Sequence, residues 1–233
     1  MARLSPAQQH YQRVTAAKAA AAAGPGGEVF GSAYELMCAK LISDRQRLKS
    51  IQSIERKIAV KREMLPEYQD WIDGALGAGN GGEDKVLTTV LVWHIDTGDY
   101  ARALQIAAYA LQHNMSMPDQ YNRDIATMLL DEIPDAFLQG KAPPEADGVA
   151  ILNNVESLTD GRDAPDQARA KLYKALGYVR LESTGEADLT EEQLPAANAA
   201  MVYLQRALDL FNGIGVKKDI EKLERRIKKA TSA

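Results

Sequence analysis

The spacing of the apolar residues constrains the fold of this chain most strongly. They recur every three or four positions, the period of an amphipathic helix, rather than in the strict alternation of a half-buried strand. Aromatic residues make up only 6% of the sequence, which also disfavours a β-sandwich or barrel. Because 45% of the residues are hydrophobic, the chain can bury a core, and we expect an all-α globular protein.

Capping and turn residues mark where the first helices begin and end. Ser5, Pro6 and Gln8 form an N-cap with a capping box, which predicts a short helix over 6–23. A second, long helix is predicted over 32–65, before Pro66. Its apolar residues form a coiled-coil-like heptad seam, interrupted by polar residues, that consists of Met37, Leu41, Leu48, Ile51, Ile58 and Leu65. We expect this seam to pack against a partner helix.

Glycine and proline segments divide the rest of the chain. A glycine-rich linker is predicted at 74–82 and a second linker at 141–148. They separate a basic N-terminal region (1–73), a central helical domain (83–140) and a C-terminal helical region with a basic tail (149–233). In the central domain and the C-terminal region, helices are predicted at 84–96, 99–113, 118–138, 149–158, 165–181, 190–211 and 216–230. Two Arg-Ala-Leu segments, at 102–104 and 206–208, suggest antiparallel hairpins that weakly resemble tetratricopeptide repeats.

Basic and acidic residues are unevenly distributed, although the net charge is only -4. Residues 1–31 carry three basic and one acidic side chain, residues 32–65 eight and four, and residues 216–233 seven and three. Residues 66–215 hold ten basic against twenty-four acidic ones. Basic ends around an acidic body favour contact of the ends with a polyanion. The alternative is that these helices are simply well solvated.

The predicted helix over 32–65 would carry part of this charge on one side. At 100° per residue, Arg45, Lys49 and Arg56 fall within about 40° of one another, away from the apolar seam. Such a stripe could hold DNA phosphates without reading the base sequence. A solvated face explains the stripe equally well, so both interpretations are open at this stage.

The sequence contains no pattern that indicates catalysis or cofactor binding. Gly140-Lys141 is followed by alanine, so the chain has no phosphate-binding loop of the usual sequence. The three histidines have no paired spacing, one cysteine cannot build a zinc cluster, and His94 is interpreted as a buried histidine. We expect no metal, no other cofactor and no enzyme. The alternative is a metal-dependent nuclease, for which the nearest carboxylates are Glu67, Glu83 and Asp84.

The compartment follows from the cysteine content and from the N-terminus. A single cysteine, Cys38, excludes an internal disulfide framework, and the weakly apolar run at 16–23 contains Lys18, unlike a secretory signal. No stretch approaches the roughly 18 consecutive apolar residues of a membrane-spanning helix. We therefore expect a cytoplasmic protein that does not contact a membrane.

Several longer stretches carry a family resemblance across nearly the whole chain. They are SPAQ at 5–8, IQSIERKI at 51–58, KREMLPEY at 61–68, VLTTV at 86–90, VWHIDTGDY at 92–100 and GVKKDIEKLER at 215–225. Together these stretches resemble the terminase small subunits of Peduovirus-type temperate tailed phages. The resemblance implies an oligomer, expected to be a ring, that recognises the cohesive-end site of the viral double-stranded DNA in the bacterial host cytoplasm. It also implies delivery of that DNA to a large subunit that supplies ATP hydrolysis and cleavage.

The resemblance does not identify the helix that contacts DNA. Small subunits of other phages usually carry a helix-turn-helix near the N-terminus, but the helix over 6–23 and the glycine loop after it do not form one. We expect DNA contacts from the basic residues Arg3, Arg13, Lys18, Arg45, Lys49, Arg56, Lys57 and Lys61, and oligomerisation through the heptad seam. Both functions are thereby assigned to the region 1–73. The basic tail is expected to dock the large subunit or to make a second DNA contact, with docking assigned to Lys217, Lys218, Arg225 and Arg226. The remaining alternative is a helical adaptor that binds protein only.

Overall fold

The computed structural model describes residues 5–118 and 122–232, and these residues are folded mainly into α-helices. The helices are α1 (Pro6–Ala23), α2 (Ser32–Lys49), α3 (Ile54–Met64), α4 (Gln69–Ala78), α5 (Lys85–Thr97), α6 (Tyr100–Gln112), α7 (Ile125–Leu138), α8 (Gly148–Thr159), α9 (Asp166–Glu182), α10 (Leu194–Leu210) and α11 (Lys217–Thr231). Short 3-10 turns cover Leu65–Tyr68, Glu191–Gln193 and Asn212–Ile214. Within the described ranges there is no β-strand, and the predicted all-α class is confirmed.

Most of the predicted helices are confirmed. Their ends could be predicted because they carry strong capping signals. The capping box at Ser5 is present, and α1 spans the predicted residues. Gly98 adopts a left-handed conformation, with φ of 80°, and forms the tight turn between α5 and α6. A second capping box at Thr190 precedes α10, as predicted.

The predicted helix over 32–65 is wrong, because the chain breaks it at 50–53 into α2 and α3. The Ser50 hydroxyl donates to the carbonyl of Arg47 at 2.8 Å, and the Ser53 hydroxyl accepts the Arg56 backbone N–H at 3.2 Å. Serine side chains compete in this way with the hydrogen bonds of a continuous helix. The heptad pattern therefore continues through a real helix end.

The glycine-rich segment after Trp71 is helical at its start, contrary to the sequence prediction. Helix α4 runs through Gly74 to Ala78 and ends only at Gly79, whose φ is 70°. An ideal Cβ at Gly74 would lie 2.3 Å from the backbone oxygen of Arg13 and 2.7 Å from the Cβ of Ala16. Glycine is therefore required at Gly74 for the close crossing of α1 and α4, and this packing offsets its low helix propensity.

The helix predicted over 118–138 begins later, at Ile125. Part of the predicted start, residues 119–121, lies outside the described residues. Pro134 lies inside α7 without ending it. The prediction was therefore correct for the end of this helix and wrong for its start.

The chain divides into two compact units, Met1–Ile125 and Ala126–Ala233. In the first unit, α4 packs on α1, α5 pairs with α6, and the largest fully buried side chains include Trp71, Tyr68 and Leu87. In the second unit, α9 packs closely on α10 where Gly177 meets Leu204, and α11 packs on α10. One of the two predicted linkers lies inside each unit. A tetratricopeptide-like arrangement is not confirmed. The assignment of separate functions to the predicted ranges stays a prediction.

Candidate nucleic-acid interface

Three basic side chains surround the turn between α2 and α3, and we call them the turn cations: Lys49, Arg56 and Lys57. Lys49 is the last residue of α2, and the other two lie in the first turn of α3. Lys49 and Arg56 are exposed and Lys57 is half-buried. Among the residues that the structure describes, none of the three side chains has an ion-pair partner. The turn cations are therefore available to an external anion.

The break between α2 and α3 changes the predicted basic stripe. Because the helix does not continue from Lys49 to Arg56, the angles calculated for one long helix do not apply across the break. Arg45 lies on α2, is half-buried and has an interaction partner within the chain. The structure thus brings the cations together around a turn instead of along one helical face.

Two other predicted DNA contacts form ion pairs within the chain. Lys61 pairs with Asp96 of α5, and its side chain is only 15% exposed. Arg13 lies 2.9 Å from Asp70 of α4, and the hydrogen bond to this carboxylate raises the pKa of Arg13. Lys18 is exposed on α1, while Arg3 lies outside the described residues. Lys61 and Arg13 would have to exchange a carboxylate for a phosphate in order to bind DNA.

Helix α5 holds the two helices around the turn in place. It contacts both α2 and α3, and Arg62 of α3 donates to the carbonyl of Thr97 at 2.9 Å. From the 3-10 turn that follows α3, the Tyr68 hydroxyl donates to Asp44 of α2 at 2.7 Å. The result is a helix, a four-residue turn and a second helix on a rigid support, which is the kind of element that can place a helix against DNA. Sequence reasoning missed this arrangement, although Ser50 and Ser53 were its signal.

The predicted oligomerisation seam is largely internal. Met37, Leu41, Leu48 and Leu65 are buried within the chain's own core, and Ile51 and Ile58 are half-buried. The four buried side chains therefore already have a packing partner inside the chain. The role of the six residues in oligomerisation stays a prediction, and direct contact with another copy is possible only through Ile51 and Ile58 in this conformation.

An apolar groove of about 350 Å³ lies between α1 and α2. Its lining includes Tyr11 and Leu36, which are 65% and 71% exposed, and the ring of Trp71 closes its floor. Ile42 is a further exposed apolar residue on α2. Clustered apolar exposure of this kind is a feature of interaction surfaces. Sequence analysis missed the groove because the residues come from two helices that pack together only in the folded chain.

The carboxylates of the nuclease alternative all have structural partners. Glu67 lies 3.0 Å from Lys40, and the Glu83 carboxylate accepts the backbone N–H of Ser116 at 3.0 Å. Asp84 caps α5 and accepts the indole N–H of Trp71 at 2.8 Å, while burial raises the pKa of its carboxyl group. No group of ligands suited to a metal ion occurs within the described part of the chain. These side chains hold the first unit together.

His94 is buried, as the sequence interpretation expected. Its Nδ1 lies 2.9 Å from the Asp99 carboxylate, whereas Nε2 has no hydrogen-bond partner. Burial lowers the pKa of His94, and Asp99 opposes that shift. Burial thus favours the neutral form of the ring, which lies at the end of α5 beside the turn to α6.

A second basic surface lies on α11 in the C-terminal unit. It consists of Lys217, Lys218, Lys222, Arg225, Lys228 and Lys229, and we call it the α11 basic face. Arg226, which was predicted to dock the large subunit, instead donates to the carbonyls of Gly185 at 2.9 Å and Ala187 at 2.7 Å. Its guanidinium ties α11 to the loop before α10. Arg226 is thus already engaged, whereas Lys217 and Lys218 are exposed.

No helix within residues 5–118 or 122–232 is both long enough and apolar enough to cross a membrane.

Comparison with known proteins identifies relatives over most of the chain. Residues 38–167 match the family described as "Phage small terminase subunit". Over 225 residues the chain is 40% identical to "Terminase, endonuclease subunit" of Escherichia phage P2, an alignment that covers 96% of this chain and 86% of that protein. It is 25% identical over 104 residues to "Probable terminase, endonuclease subunit" of Haemophilus phage HP1 (strain HP1c1), covering 44% and 37% of the two chains. No solved structure matches the chain.

Proposed function

Because this chain belongs to the phage small terminase subunit family, we propose that it recognises the cohesive-end site of the phage genome as an oligomer and delivers this DNA to the large terminase subunit. Family membership supports a role in viral DNA packaging. Members of the family are generally non-catalytic, and "endonuclease" in the name of the P2 relative labels the complex. In this scheme the large subunit hydrolyses ATP and cleaves the DNA, in the cytoplasm of the bacterial host.

The observation that carries the DNA-binding proposal is the group of turn cations. They are unpaired within the described chain and lie on two helices that α5 holds in place. Residues 1–65 are basic overall whereas residues 66–215 are strongly acidic, so DNA would be drawn to the N-terminal region and repelled by the body. Lys18 on α1 is a further exposed cation of the N-terminal region. The turn cations would bind the sugar-phosphate backbone and so orient α3 on the duplex.

The experiment that tests this proposal compares two triple variants with the wild type. Lys49→Gln, Arg56→Gln and Lys57→Gln together remove the turn cations. The control variant, Lys85→Gln with Lys141→Gln and Arg206→Gln, removes the same charge from exposed positions elsewhere. Fluorescence anisotropy with a labelled cohesive-end duplex should show an affinity loss of about tenfold or more in the first variant, with a salt slope smaller by about 2–3. Equal affinity of the two variants would contradict the role of the turn cations.

Oligomerisation is proposed to use the apolar groove between α1 and α2. Tyr11 and Leu36 expose apolar surface there. Burying these side chains against another copy of the chain would stabilise an assembly, at about 25 cal/mol per Å² of apolar area. Ile51 and Ile58 could add to the contact from the half-buried part of the seam. A closed ring would follow if the contact joins two different faces of the subunit and the rotation between neighbouring copies closes on itself.

Delivery of DNA also requires a surface that docks the large subunit. The positions predicted for it on α11 are Lys217, Lys218, Arg225 and Arg226, of which Arg226 is bound within the chain. The other three side chains are exposed, and either an acidic surface of the large subunit or the phosphates of DNA could contact them. Docking of the large subunit and a second DNA contact are alternative roles for these three positions.

The two other functions make distinct predictions. A nuclease would cut DNA by itself in the presence of Mg²⁺ and would lose this activity when Glu67, Glu83 or Asp84 is replaced by alanine. A protein-only adaptor would show no salt-dependent affinity for DNA. The structural contacts of the three carboxylates favour neither a metal site nor a catalytic role for them.

A further inference from the structure

Helix α11 has two chemically different sides. Ile220, Leu223 and Ile227 pack against the core of the C-terminal unit, whose buried residues include Leu204 of α10 and Val216. The α11 basic face lies on the opposite side and turns toward solvent. Its cations recur at nearly every turn of the helix, from Lys217 to Lys229. Because the apolar side is already packed, the basic side is the part of α11 that is free to bind a partner.

The chemistry of this face favours a polyanion over a protein. The large hydrophobic side chains that are exposed in the described residues all lie outside α11. Protein interfaces are enriched in aromatic residues, methionine and arginine and depleted of lysine, whereas five of the six cations here are lysines. Lysine is instead a common ligand of nucleic-acid phosphates. The face therefore lacks the apolar centre that a protein partner would need.

We infer that the α11 basic face binds the phosphate backbone of duplex DNA, as a second contact distinct from the turn cations. This inference rests on the proposed DNA-binding function and assigns a further site to it. The distance along the helix axis from Lys217 to Lys228 is about 16 Å at 1.5 Å per residue, so the face can reach several phosphates. Arg226 fixes the helix to the loop at 184–187, which keeps the face rigid.

Acidic residues near the face do not neutralise it. Lys222 lies 3.8 Å from Glu186 and Lys229 lies 2.6 Å from Asp188, but these two carboxylates are 94% and 71% exposed. Ion pairs this exposed contribute little and can be exchanged for phosphate contacts. Asp219, Glu221 and Glu224 lie on α11 itself, and they leave the helix with seven basic and three acidic side chains. The face keeps a positive excess.

The test removes three exposed cations of this face that have no ion-pair partner among the described residues: Lys217→Gln, Lys218→Gln and Lys228→Gln. The control is again Lys85→Gln with Lys141→Gln and Arg206→Gln, which changes the net charge equally. Binding of a labelled duplex is measured by anisotropy between about 50 and about 200 mM salt, with the full-length protein. The α11 variant should bind about tenfold or more weakly, and its salt slope should be smaller by about 2–3, while the control keeps the wild-type slope.

Three other outcomes would overturn the inference in distinguishable ways. If the α11 variant binds DNA like the control, this face is not a DNA contact. If the α11 variant keeps DNA binding but no longer captures the purified large subunit, the α11 basic face is a protein dock instead. If the wild type itself does not bind duplex DNA, the proposed function fails as well. Circular dichroism of both variants establishes that the substitutions leave the fold intact.

Discussion

Gly74 lies at the crossing of α1 and α4, where a side chain has no space. Gly74→Ala should destabilise the protein by about 1–3 kcal/mol, because a Cβ there would collide with the backbone of Arg13 and with Ala16. Gly77→Ala is the matched control, since nothing lies within 4 Å of a Cβ at that position of the same helix. The control should be neutral or stabilising by about 0.5–1 kcal/mol. Urea unfolding measures both, and equal stability of the two variants would contradict the close crossing.

The buried ring of His94 makes stability depend on pH. Burial lowers its pKa below the value of 6.5 expected in the unfolded chain, although Asp99 opposes the shift. As the pH falls, the unfolded chain therefore takes up the proton on His94 before the folded chain does. The stability that the neutral ring contributes is present above pH 6.5 and is lost as the pH falls toward the pKa of His94 in the folded chain. The loss is at most about 1.4 kcal/mol per pH unit.

His94→Gln should reduce the loss of stability at low pH, as measured by urea unfolding at pH 7.5 and at a pH below 6. His10→Gln, which replaces an exposed histidine on α1, is the matched substitution. An unchanged pH dependence in the His94 variant would show that the ring does not titrate with folding. The sequence predicted the burial of His94 from the apolar run around it, but not Asp99 as its partner, because that contact depends on the turn between α5 and α6.

At the scale of elements, Ser53 decides where α3 begins. Ser53→Ala removes the hydrogen bond to the Arg56 backbone N–H and should cost about 0.5–2 kcal/mol. Ser43→Ala, at an exposed position inside α2, should instead be neutral or slightly stabilising, because alanine is the better helix former. Thermal unfolding distinguishes the two. A stabilising Ser53→Ala would mean that α2 and α3 form one continuous helix after all.

Helix ends were predictable where side chain and backbone signals agree. Ser5 with Gln8 and Thr190 with Gln193 form the expected capping boxes. The end of α2 was missed because the apolar pattern continues past it, while the interruption depends on two serine hydroxyls. The part of α4 from Gly74 to Ala78 was predicted as a linker because the sequence does not show that Gly74 is needed for packing on α1. Periodicity thus predicts that a helix exists better than it predicts where the helix stops.

At the scale of the whole molecule, the heptad pattern could not distinguish a partner within the chain from a partner outside it. Met37 and Leu48 are buried by other helices of the same unit, so their substitution would unfold the protein rather than dissociate an assembly. The charge distribution was more informative, since the excess of basic residues near both ends coincides with exposed cations around the α2–α3 turn and on α11.

The exposed apolar residues of α2 give a direct test of assembly. Leu36→Gln with Ile42→Gln should lower the mass of the oligomer while leaving the unfolding temperature of the subunit nearly unchanged, since both side chains lie on the surface. Val202→Gln, at a similarly exposed position on α10, should leave the mass unchanged. Sedimentation velocity measures the mass. An intact oligomer in the α2 variant would place the contact between copies elsewhere.

We propose that this small subunit assembles and binds the genome through its basic surfaces. The most direct test is the mass of the purified protein by light scattering, with and without a duplex that carries the cohesive-end site, at low and at high salt. We expect a discrete multimer that gains mass with the duplex at low salt and loses that gain at high salt. A monomer whose mass does not change with the duplex would contradict it.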